Sequence, residues 1–333
     1  MTRLPSPRSL TRPVASAAPS RSAWLVVGFA ALLGACGGKL PASSDDSGDT
    51  GGGEGGDGGA ALAWEDVRME TASSFTGAFA SGTGLYATAE DGKVYLRSQG
   101  SWETITLDTR EALNGVWGRV DGATVQVVGV GDGGAIATFD GEQWTAANSL
   151  GNANMESIAG VDESDLLAVG WAGIFELIEG EWIYQPVPEN PQFNHVWFDG
   201  TVAVAVGEDG AISMRRAGTW TTTFHPSGKK LYGVSGASAT ELWAVGEGGL
   251  LLRYDGSQWN EIPTNTTASL WAVLARGAND AIVVGSNGVA FQTDGAEIND
   301  LPTGVDNNLY ALSASSTNTI WAVGNRGMTL RLR

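Results

Sequence analysis

The feature that most constrains this chain is a repeat. The segment from Leu231 to Pro263 reads as apolar strand, short loop, Ala-Val-Gly, two residues, Gly, apolar strand, turn and a strand carrying Trp. Degenerate copies recur about every 39 residues, a period that fits units of one small antiparallel sheet. A glycine closes the second strand at Gly131, Gly170, Gly207, Gly246, Gly285 and Gly324, with Ala89 in the first copy. Three positions later stands Gly92, Gly134, Gly173, Gly210, Gly249, Gly288 or Gly327. A glycine so placed predicts a tight two-residue hairpin turn with positive φ at its centre or exit. The residue before the Val is small or β-branched (Ala87, Gly129, Ala168, Ala205, Ala244, Val283, Ala322), which predicts closely packed sheets. The fourth strand carries Trp64, Trp102, Trp144, Trp182, Trp220 and Trp259, with Ile298 in the last place. Large rings at equal intervals predict packing between neighbouring sheets.

The ends of the repeat set the architecture. The last copy stops at Arg333 after its third strand, while Ala63-Trp64-Glu65-Asp66-Val67 is a fourth strand without a sheet of its own. Pairing the two removes the open ends that are the chief liability of sheet proteins. The expected fold over residues 62–333 is therefore all-β: a seven-bladed β-propeller of four-stranded blades, closed by the N-terminal strand pairing with the C-terminal blade.

On these residues the chain resembles bacterial BNR-like and WD40/YVTN-type propeller repeats, and most of all the Trp-Ala-Val-Gly repeats of secreted lipoproteins. It is loosely similar to the sialidase superfamily and to photosystem II assembly factor propellers. The sialidase Asp box is not matched: the nearest segments, Asp140–Trp144 and Asp255–Trp259, have different spacing and read as hairpin turns.

The N-terminal region reads as export signal and anchor. Arg3, Arg8, Arg12 and Arg21 precede an apolar run from Ala23 to Leu33, too short to span a bilayer, which takes about 20 residues. It ends in Leu33-Gly34-Ala35-Cys36, which resembles the lipobox of bacterial lipoproteins. The resemblance implies a signal peptide over 1–35, cleavage before Cys36 and acylation of its thiol. Gly37 in place of Asp implies delivery to the outer membrane. Residues 36–61, rich in Gly and acids, read as a flexible tether. Cys36 is the one cysteine, so no internal disulfide forms.

A formal charge of -18 at pH 7 disfavours nucleic acid as a partner. Two histidines, His195 and His225, without a metal-ligand spacing, and no nucleophile elbow or phosphate loop, give no catalytic residues, metal or cofactor to expect. His195, on a first strand, is expected to face the adjoining blade or the channel. Binding is expected on the face that carries the loops between strands two and three. Its acidic turn residues are Glu90, Asp91, Asp132, Glu208, Asp209 and Glu247, and Trp171 sits at a turn tip as a candidate anchor for a partner. A second row follows the leading apolar residue of strand one: Thr76, Asn114, Glu156, Asn194, Tyr232, Trp271 and Tyr310. It varies in a fixed frame, and Tyr232, Trp271 and Tyr310 form a candidate aromatic arc. The expected function is a membrane-anchored, monomeric, non-catalytic propeller that binds a protein, peptide or glycan at the envelope. A polysaccharide hydrolase or lyase, or an assembly factor for a membrane complex, are the alternatives.

Overall fold

The computed structural model describes residues 62–82, 84–315 and 319–333; the signal, Cys36 and tether lie outside the described residues. Seven four-stranded antiparallel sheets follow one another along the chain. Blades 1 to 6 begin at Phe75, Leu113, Met155, Phe193, Leu231 and Leu270, and within each the strands lie in sequence order. Blade 7 takes three strands from the C-terminus (Leu309–Ala314, Ile320–Gly324, Thr329–Leu332) and its fourth, Trp64–Asp66, from the N-terminus. That pairing sets Trp64 opposite Leu332 and Asp66 opposite Leu330. Further bonds extend it, from Val67 N–H to Thr329 O (2.9 Å) and from Met69 N–H to Gly327 O (3.0 Å). The first strand of each blade touches the first strand of the next, and that of blade 7 touches that of blade 1, so the ring is closed as expected.

Seven hydrophobic clusters hold the ring, one at each junction between blades. Each contains one member of the Trp column: Trp64 between blades 6 and 7, Trp102 between 7 and 1, and Trp144, Trp182, Trp220, Trp259 and Ile298 at the junctions in order. Trp220 is 7% exposed, and the small residues that line the second strands are sealed off from solvent. The column is structural, as its regular spacing predicts.

The turns differ from expectation. Five of the seven connections between strands two and three are three-residue turns of 3-10 type, such as Glu208–Gly210 and Asn325–Gly327. Their second residue also has positive φ, and in three blades it is not glycine: Asp209 (53°), Asn287 (56°) and Arg326 (55°). Asp and Asn tolerate this region; Arg adopts it with more strain. The exit glycine has two reasons to be there. At Gly288, φ is +69°, and an added Cβ would overlap the Val305 carbonyl of the connection passing to the next blade. The strand-closing glycines, by contrast, have ordinary extended backbone. At Gly324 a Cβ would run into the Asn308 carbonyl, so close approach of the chain demands glycine there.

Candidate functional site

Each first strand carries a β-bulge at its second residue: register skips from Phe75 to Gly77, Leu113 to Gly115, Met155 to Ser157, Phe193 to His195, Leu231 to Gly233, Leu270 to Ala272 and Leu309 to Ala311. A bulged residue has no partner across the ladder and escapes the alternation of faces. All seven, Thr76, Asn114, Glu156, Asn194, Tyr232, Trp271 and Tyr310, line one central funnel of about 690 Å³. The row singled out in the sequence is thus the wall of the channel.

The wall has two halves. On blades 5 to 7 the rings of Tyr232 and Trp271 lie 4.3 Å apart, tilted by 33°, and Tyr310 meets Trp271 edge-on at 5.5 Å. The Trp271 indole N–H donates to Ser286 Oγ (2.9 Å), which fixes its ring. The expected aromatic arc is therefore brought together. On blades 1 to 4 the wall is polar. Asn114 Nδ2 donates to the Met155 carbonyl (3.0 Å) and to Asp132 (3.0 Å). Asn194 Nδ2 donates to the Leu231 carbonyl (2.9 Å) and to Glu208 (3.3 Å), and the Thr76 hydroxyl donates to the Leu113 carbonyl. Each of these side chains clips its blade to the next while facing the channel.

Glu156 interrupts that scheme. An ionised carboxylate cannot donate, and Glu156 makes no hydrogen bond or ion pair with the described residues. Burial, and secondarily the Asp132 charge, hold its pKa above the usual carboxylate value. His195 lines the same wall on the adjoining blade, against Val234. Burial lowers its pKa to about 4, so it is neutral at physiological pH, and its Nδ1 has no partner. Farther along the channel Trp117 and Trp197 donate their indole N–H groups to the carbonyls of Gly160 (2.8 Å) and Gly236 (3.1 Å) on the next blade.

The acidic turn residues divide. Glu90 and Glu208 line the funnel. Glu90 accepts from the Ser74 N–H (3.0 Å), and Glu208 pairs with Lys230 (2.6 Å). Asp132 is held by Asn114, while Asp91 turns to Lys93 (2.7 Å) and the Tyr95 hydroxyl (2.8 Å). Glu247 stands near Tyr232 and, after burial, adds to the rise in that phenol's pKa. Asp209 sits at a turn tip. Trp171 is 59% exposed yet also lines the funnel, so it stands on the lip. Residues missed by sequence reasoning are Trp117 and Trp197; the signal was a Val-Trp pair in the first strands of blades 2 and 4. No group of three or more His, Cys, Asp or Glu among the described residues is placed to hold a metal ion.

Fold and funnel together define a closed seven-bladed β-propeller with a differentiated central channel. No protein-family model and no curated protein sequence matches the chain. Solved structures do. YCF48 bound to a D1 peptide superposes with a TM-score of 0.64 at 18% identity, over 80% of this chain and 96% of that one. The WD40 propeller domain of Doa1 gives 0.66 at 12% identity, over 80% and 94%. Streptogramin B lyase gives 0.67 at 13% identity, over 82% and 97%. At such identities the likeness establishes the fold alone.

Proposed function

We propose that this chain is a lipid-anchored envelope protein whose propeller binds a polypeptide partner in its central funnel without transforming it. The observation that carries this is the bulge ring: seven side chains at one structural position, aromatic on three adjoining blades and polar on four, around one cavity. A volume of about 690 Å³ falls in the range of about 300–1,000 Å³ typical of specific pockets. A rigid frame with varied residues at one register suits recognition, and an exposed Trp171 on the lip suits an anchor. YCF48, similar in fold, is bound to a D1 peptide, which supports this reading. Anchoring rests on the Leu33–Cys36 motif and on Gly37, which support an outer-membrane lipoprotein.

Photo-crosslinking tests this. A photoreactive residue placed at Tyr310 of the full chain in cells is expected to form a reproducible adduct with one protein. The same residue at the exposed Phe224, at the end of an outer strand, is expected to form none. Adducts as frequent at Phe224 as at Tyr310 would overturn the reading.

A second reading has its own observation. Glu156, with its raised pKa, and His195, with an unpartnered Nδ1, share the funnel wall, and perturbed groups in a cleft are also how hydrolases and lyases are built. Turnover of any member of a polysaccharide panel by the purified chain, abolished in Glu156→Gln, would establish it.

A further inference from the structure

Among the four non-aromatic members of the bulge ring, one side chain has no hydrogen-bond partner among the described residues. Of the four polar members, Thr76, Asn114 and Asn194 are engaged with the carbonyl of the next blade. Glu156 has no such bond, and it stands in the wall half-buried with no counter-ion among the described residues. A carboxylate withdrawn from water without a counter-charge is unfavourable unless a ligand supplies one.

The rest of the lining does not supply it. The funnel wall includes Glu90, Glu156 and Glu208 and neither lysine nor arginine. Glu208 is matched by Lys230 just outside, and Glu90 by a backbone N–H. His195, the remaining basic side chain, is neutral at physiological pH. Asp132 adds a second negative charge near Glu156. Across the channel, three or four blades away in either direction, stands the Trp271 ring with Tyr232 and Tyr310 beside it. A planar, weakly hydrated cation is attracted to an indole face and forms paired hydrogen bonds with a carboxylate.

We infer that the funnel takes a basic polypeptide segment and that an arginine side chain enters it, its guanidinium between the Trp271 wall and the Glu156 carboxylate. The inference rests on the binding role proposed above and names its ligand chemistry. The flanking residues of the segment reach the lip, where Trp171 offers apolar surface.

The test uses the full chain in mild detergent and three short capped peptides that differ at a central position: arginine, citrulline and glutamate. Citrulline keeps the shape and loses the charge. Binding is read by titration calorimetry. The arginine peptide is expected to bind about tenfold or more tightly than the citrulline peptide, the ratio typical of a hydrogen bond to a charged group. The glutamate peptide is expected not to bind. Glu156→Gln is expected to abolish the difference between arginine and citrulline. Equal binding of arginine and citrulline to the unaltered chain would overturn the inference, and so would tighter binding of a neutral oligosaccharide. Should crosslinks still form at Tyr310 in that case, the funnel remains a binding site of other chemistry. Should they fail as well, the binding reading falls with it.

Discussion

Truncating Trp64 to alanine tests how the ring is closed. Trp64 belongs to a three-residue strand and packs, partly buried, among Ile282 and Val284 of blade 6 and Ile320, Ala322, Leu330 and Leu332 of blade 7. Its indole N–H has no hydrogen-bond partner, so the substitution removes packing and no bond. Truncating a fully buried Trp costs about 3–5 kcal/mol; partial burial brings the expectation to about 2–3 kcal/mol. For a domain of this size each kcal/mol lowers Tm by about 2–4 °C, so Trp64→Ala should melt about 4–12 °C below the parent. Trp220, only 7% exposed in its own junction, should cost nearer the full value. Thermal unfolding of the full chain in mild detergent, followed by far-ultraviolet circular dichroism at one fixed scan rate, compares the three proteins. An unchanged Tm for Trp64→Ala would refute the argument that this strand and its ring weld blade 7 to blade 6.

Gly324→Ala should destabilise markedly, by about 2–4 kcal/mol, because its Cβ meets the Asn308 carbonyl. Gly277→Ala, where nothing lies within 4 Å, should change stability by less than about 0.5 kcal/mol in the same denaturation series. The raised pKa of Glu156 means its ionised form is disfavoured in the folded chain. Its contribution to stability is present below the ordinary Glu pKa and is lost as pH rises through the folded value, so Glu156→Gln should raise Tm at pH 7 while removing arginine selectivity. Asp132, held by Asn114, is the charged group that acts on Glu156, and the neutral His195 lines the same funnel; affinity for the arginine peptide should fall as pH drops through the raised Glu156 pKa. The imidazole of His195 should titrate near pH 4 by NMR, not between pH 5 and 8; its depressed pKa gives stability that is present above about 6.5 and is lost as pH falls through the folded value.

Much of this molecule could be read from spacing, because a repeat puts the same physical demand on seven positions at once. The Trp column, the strand-closing glycines and the lone N-terminal strand pointed to a closed ring, and the row from Thr76 to Tyr310 pointed to its channel. Pattern carries less where blades deviate from one another. The spacing predicts two-residue turns, whereas five blades close with three residues, and Asp209, Asn287 and Arg326 take positive φ there without being glycine, which composition does not signal. The acidic turn residues share one place in the repeat, yet Asp91 is engaged by Lys93 and Tyr95 of its own blade while Glu208 faces the funnel. Glu156 was one of many carboxylates until the bulge geometry showed that its neighbours in the ring are hydrogen-bonded and it is not. The packing of Tyr232 on Trp271 depends on two blades meeting at an angle, which no local pattern encodes.

Recognition is proposed at a single site, the bulge ring of the first strands. A crystal structure of the chain carrying the polypeptide segment crosslinked at Tyr310 tests it most directly. The segment should enter the central funnel, with a basic side chain between Trp271 and Glu156 and its flanks on Trp171. Density for the segment along an outer strand, or over the opposite face with the funnel empty, would contradict it.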